Sequence, residues 1–80
     1  MDIIACKGPH KVVIQCKQIA GTVGNKAVQE VLAGKHFEQG TFAVVVTNSS
    51  FSDPARRLAS ISHVALLHHS ELQRLDNLVT

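Results

Sequence analysis

Apolar residues open the chain in two short β-branched blocks, Asp2 to Cys6 and Val12 to Cys16, separated by Lys7-Gly8-Pro9-His10-Lys11. Glycine and proline punctuate a chain as a turn, so the pattern predicts a β-hairpin. With a four-residue loop from Gly8 to Lys11, Lys7 faces Val12 and Asp2 falls directly across from Lys17. A glycine-bearing linker (Gly21, Gly24) follows. Asn25 to Ala33 then places Ala27, Val28, Val31 and Leu32 on one helical stripe, with Gly34 as its terminator. Thr41 to Thr47 is short, β-branched and without alternation, which suits a central strand buried on both faces. Asp53 before Pro54 reads as an N-cap with a first-turn proline, starting a helix through Leu58 and Ala59. Ile61 to Leu67 reads as a further buried strand. Ser70-Glu71-Leu72-Gln73 has capping-box spacing ahead of Leu75, Leu78 and Val79 at helical intervals. The predicted order is ββαβαβα, an α/β fold with a mixed sheet, parallel pairs and right-handed crossovers. No repeat or boundary divides it, so residues 1–80 are expected to form a single domain.

Size changes this picture in one respect. A domain of 80 residues buries only about 60% of the surface its unfolded chain exposes, so a homodimer or a companion segment covering an apolar face is expected. The formal charge of +2 permits nucleic-acid binding without requiring it. Lys7, Lys11 and Lys17, then Lys26 and Lys35, then Arg56 and Arg57 are spread along the chain, and each is also an ordinary solvated surface residue. Two cysteines with no secretory signal make the cytoplasm the expected compartment. The longest apolar block, Phe42 to Val46, is far short of the roughly 20 residues a spanning helix needs, which sets membrane function aside.

Period-two alternation puts Asp2, Ile4, Gln15 and Lys17 on one face of the predicted hairpin, with Cys16 pointing the other way. An acid, an amide and an ammonium at one hairpin end suit phosphodiester hydrolysis. There a divalent cation on oxygen ligands polarises the phosphate and activates water. Asp2 supplies a carboxylate in such a site, the Cys16 backbone carbonyl and the Gln15 amide oxygen supply neutral ligands, and Lys17 orients water or stabilises developing charge. By spacing alone, an Asp–Lys cross-strand pair beside a glutamine is also a common surface arrangement.

Several stretches taken together resemble the Mrr-type restriction endonucleases, a branch of the PD-(D/E)xK nuclease superfamily. They are Asp2-Ile3-Ile4, Ile14-Gln15-Cys16-Lys17, Val23-Gly24 with Ala27-Val28-Gln29-Glu30, Val46-Thr47-Asn48-Ser49, Phe51 with Ala55, and Leu58-Ala59. The resemblance covers nearly the whole chain. It implies a restriction-endonuclease-like core with Asp2 as the metal-binding acid, Gln15 at the third-motif position, where glutamine is common in this branch, and Lys17 as the catalytic lysine. It also implies cleavage of duplex DNA, often methylated, with Mg²⁺ or a similar ion such as Mn²⁺. Substrate preference in such proteins usually resides in a separate recognition domain, and nothing in this sequence resembles one. Family members carry a helix and a strand before this aspartate, so the usual first helix and first strand are expected to be absent. The alternative is a catalytically silent DNA-binding or assembly module that keeps the nuclease fold.

Gln29 lies at the edge of the helical stripe, where it can either reach the site or face solvent, and is a secondary candidate. Glu30, at the opposite edge, reads as a surface charge. Arg56 and Arg57 near a helix start, together with Lys11 and Lys26, are candidates for DNA phosphates, with pairing to nearby acids as the alternative for the arginines. Cys6, His10 and Cys16 match no zinc spacing, and the two cysteines are expected on opposite faces. His63, His68 and His69 border the last strand and read as satisfied or exposed.

Overall fold

Glycine at a position that demands a left-handed backbone makes the first turn tighter than the sequence pattern suggested. A computed structural model describes the backbone of residues 2–78, with the side chains of residues 2, 76 and 78 outside the description. Strands β1 (Asp2–Lys7) and β2 (His10–Lys17) are joined by only Gly8 and Pro9. Gly8 has φ of 58° and proline is locked near −65°, the φ pattern of a type II′ turn, which matches the twist of a hairpin. The expected four-residue loop is therefore corrected: Lys7 faces His10 and Asp2 faces Gln15, not Lys17. The register moves by two residues, so each described side chain of the hairpin keeps its predicted face.

Helix α1 (Asn25–Glu38) runs past Gly34, where the sequence suggested a stop. Nine residues of helix would return the chain only about 14 Å, whereas the six-residue strand β3 (Phe42–Thr47) spans about 20 Å. Spanning that sheet outweighs the roughly 1 kcal/mol that an interior glycine costs. Gln39 ends the helix in the left-handed region at φ 55°. Gly40 then lets the chain turn tightly under β2, since a Cβ there would sit 2.9 Å from Val13 Cγ2 and 3.1 Å from the Lys11 carbonyl oxygen.

Helix α2 (Asp53–Ser62) is capped by Ser52, whose hydroxyl accepts from Ala55 N at 3.1 Å. The cap is thus one residue earlier than Asp53, which occupies the first turn. The helix continues through Ile61, where a strand was expected, because its apolar stripe is carried by Ala55 and Ala59, and Ile61 is left 77% exposed. His63 closes it with a left-handed φ of 59°, and strand β4 occupies Val64–His68. A 3₁₀ helix (His69–Arg74) and the short α3 (Leu75–Leu78) end the described chain. His68, not Ser70, caps that segment: its ring accepts from Ser70 N while Glu71 Oε1 accepts from His68 N at 3.0 Å.

The sheet order is β1-β2-β3-β4, with β1 antiparallel to β2 and the remaining neighbours parallel. Both crossover helices lie on one face, where Val13, Ala43 and Val45 pack against Ala27, Val28, Val31, Ala55 and Ala59. The opposite face carries Val12, Ile14, Val44, Val46 and Leu67, packed with Leu75. No helix among the described residues is long and apolar enough to cross a membrane.

Candidate active site

Three parallel strands end side by side, which sets Lys17, Thr47 and His68 in one row on the helix-covered face. One pleat earlier on that face lies Gln15, only 5% exposed, and opposite it in β1 stands Asp2. The structure thus brings the backbones of Asp2, Gln15 and Lys17 to one edge. The Asp2 side chain, a predicted metal ligand, lies outside the described residues. Cys16 points to the other face beside Val46, leaving only its backbone for this edge.

The loop after Lys17 is tied down by the segment after β3. Thr47 Oγ1 donates to the Lys17 carbonyl at 2.7 Å and accepts from Ser49 N at 3.1 Å. Asn48 Oδ1 accepts from Ile19 N at 3.1 Å, and Ser49 Oγ donates to the Gly21 carbonyl at 2.5 Å. Val23 and Phe51 form a parallel bridge, with Val23 N donating to Ser50 O at 2.8 Å and Ser52 N to Val23 O at 2.9 Å. His68 Nε2 reaches the Asn48 carbonyl at 3.2 Å, so it carries the proton, while Nδ1 accepts from Ser70 N at 3.2 Å. These contacts fix the backbone on which Lys17 stands and the start of α1.

Glu30, read from sequence as a surface charge, reaches across from α1 instead. Its Oε1 lies 2.9 Å from Lys17 Nζ. That oxygen is buried, and the Lys17 ammonium is the charge that faces it. Contact with Lys17 holds the Glu30 carboxyl below its ordinary range; burial opposes this, and the charge of Lys26 adds to it. Gln29, the secondary candidate on the same turn, is exposed. Which of the two neighbours turns inward is set by the rotation of α1 relative to β2, not by helical periodicity.

Lys26, Arg56 and Arg57 are exposed in the first turns of α1 and α2. Both helices begin at the edge where the parallel strands end, and helix starts present unpaired N–H groups that favour anions. Lys11 is not brought here: it lies near the other end of β2 and pairs with Glu38 at 3.3 Å. Among the described residues no three His, Cys, Asp or Glu side chains gather to hold a metal, and Cys6 and Cys16 are free thiols.

A four-stranded mixed sheet with two helices crossing over its parallel strands is the architecture of a restriction-endonuclease-like fold. The chain belongs to the Mrr catalytic family of restriction endonucleases, whose profile matches residues 1–75. Its fold is similar to that of the DNA modification-dependent restriction endonuclease AspBHI. That match has a TM-score of 0.62 at 16% identity and spans 84% of this chain but 18% of that one. No curated protein sequence matches this chain.

Proposed function

We propose that this chain is the catalytic core of a Mg²⁺- or Mn²⁺-dependent DNA endonuclease that hydrolyses phosphodiester bonds through Asp2, Gln15 and Lys17. The observation that carries this reading is the placement of Lys17 on the same face and edge as buried Gln15, with Asp2 in register opposite. The donors fit a hard divalent cation, which takes carboxylate, amide and backbone carbonyl oxygens. Asp2, the Gln15 amide oxygen and the Cys16 carbonyl would hold it. When bound, such an ion polarises the phosphate and lowers the pKa of its water. Gln15, rigid because it is buried in a strand, fixes the orientation of the donor set. The Lys17 ammonium offers its protons to the phosphate oxygen on which negative charge develops, and its strand position is set by the Thr47 hydrogen bond to its carbonyl. Lys26, Arg56 and Arg57 neutralise neighbouring DNA phosphates beside the helix starts.

Residues 1–80 act as one catalytic unit in this reading, in the cytoplasm. Strand β1 is the sheet's edge, with Ile3 43% and Ile4 39% exposed, and a second copy of the chain covering it makes a homodimer.

Supercoiled plasmid incubated with the protein and Mg²⁺ or Mn²⁺ tests the proposal. Nicking that disappears in Lys17→Ala is expected. Absence of nicking, or nicking retained in that variant, turns the reading to a catalytically silent DNA-binding module.

A further inference from the structure

Gln15 leaves the cation site with one carboxylate where firm binding of a divalent ion is helped by two. Glu30 of α1 is an acid that reaches this edge, where its carboxylate meets the ammonium of Lys17. One carboxylate oxygen has been removed from water and faces the ammonium of Lys17 at 2.9 Å. Burying a carboxylate oxygen without full hydrogen bonding is unfavourable unless a charge compensates it. Lys17 compensates it here, yet that same ammonium is the group the nuclease reading assigns to the phosphate. The two assignments conflict unless Glu30 has another partner when Lys17 is at work.

On the basis of that nuclease reading, we propose that Glu30 is the second carboxylate of the cation site, held in reserve by Lys17. Glu30 would leave the Lys17 ammonium to join the ligands of the cation, and Lys17, so freed, would turn to the phosphate. The exchange is one of charge partners, with no bond made or broken within the chain. Glu30 stands on α1, whose Ala27, Val28 and Val31 are locked into the core, so a change of side-chain rotamer suffices.

Titration of the full chain with Mn²⁺ alone, followed by loss of the free-ion electron paramagnetic resonance signal, tests this without any turnover. Glu30→Gln, which keeps the side chain's shape, is expected to weaken Mn²⁺ binding about tenfold or more, and Asp2→Asn to do likewise. Lys17→Met is expected to tighten binding, because it frees Glu30, and to do so far less in the Lys17→Met/Glu30→Gln double variant. Circular dichroism confirms that each variant is folded. Glu30→Gln binding as the wild type does, equal tightening by Lys17→Met in both backgrounds, or no Mn²⁺ uptake by the wild type overturns the inference. Failure of the nuclease reading is seen separately, as a plasmid left intact by a protein that binds Mn²⁺ through Glu30.

Discussion

The two ends of β2 carry the same three residue types in the same arrangement. At one end Lys17 pairs with Glu30 of α1, and its carbonyl accepts from Thr47 Oγ1 at 2.7 Å. At the other, Lys11 pairs with Glu38 of α1, and its carbonyl accepts from Thr41 Oγ1 at 3.2 Å. Lysine, glutamate and threonine therefore do not define a site. What differs is the setting. Lys17 lies where helices start, beside a buried amide and opposite the strand that holds Asp2. Lys11 lies where α1 ends in Lys35 and His36, beside the Gly8–Pro9 turn, and a phosphate there meets the unfavourable end of the helix dipole. The same ion pair is a candidate for chemistry at one end and a surface staple at the other.

Replacing each lysine puts the largest strain on that contrast. Lys17→Ala is expected to lower the rate of plasmid nicking about 100-fold or more, the usual loss when a group that stabilises developing charge is removed. Lys11→Ala is expected to leave the rate within about twofold. Equal losses from the two variants would erase the distinction.

The threonines give the next effect, on stability. Thr47 is 1% exposed, and Thr47→Val leaves the Ser49 amide and the Lys17 carbonyl short of a partner, which costs about 1–3 kcal/mol. Thr41 is exposed, so water replaces its hydroxyl in Thr41→Val and the cost stays within about 0.5 kcal/mol. Urea denaturation of the two variants measures both, and a Thr47→Val protein as stable as the wild type contradicts the assigned role of the hydroxyl.

How far this contrast is legible without coordinates depends on which signal carries it. The faces of Gln15, Lys17 and Cys16 follow from period-two alternation and survive a turn two residues shorter than expected, because an even slip preserves parity. The buried stripe of Ala27, Val28 and Val31 likewise follows from helical spacing. Side chains at the margins of such stripes are not fixed by periodicity. Gln29 and Glu30 are neighbours, and which one turns toward Lys17 depends on the rotation of α1 about its axis, a tertiary quantity. Threonine 47 shows the same limit: its place in a buried strand is readable, but its hydrogen bond to a residue thirty positions away is set by the parallel register. The end of α1 depends on the length of sheet it must cross, which no local signal at Gly34 reports.

DNA binding separates the two ends more gently. Arg56→Ala and Arg57→Ala in one protein remove up to two phosphate contacts. The slope of log affinity against log salt is then expected to become shallower by about 1–2. Lys11→Ala is expected to leave that slope unchanged. Fluorescence anisotropy of a labelled duplex at several salt concentrations reads the slopes, and a matching change from Lys11→Ala would extend the DNA surface to the far end of β2.

Acid provides the smallest test. The Glu30 carboxyl is held below its ordinary range by Lys17, so the folded state binds fewer protons than the unfolded chain near the ordinary carboxylate pKa. Stability from this pair is therefore fully present above that pKa and is lost as pH falls through the lowered folded value. Lys17 and Glu30 are partly exposed, with side-chain accessibilities of 29% and 39%, so solvent screens the pair and its contribution stays below about 1 kcal/mol. Glu71 titrates in the same direction in both proteins, through its hydrogen bond from His68 N and its contact with Arg74, and so cancels when wild type and Glu30→Gln are compared. Melting temperatures between about pH 3 and 6 are expected to fall less steeply in Glu30→Gln than in the wild type. Parallel acid limbs in the two proteins would mean that Lys17 does not hold the Glu30 carboxylate in the resting protein, and that the ends of β2 differ only once a ligand is bound.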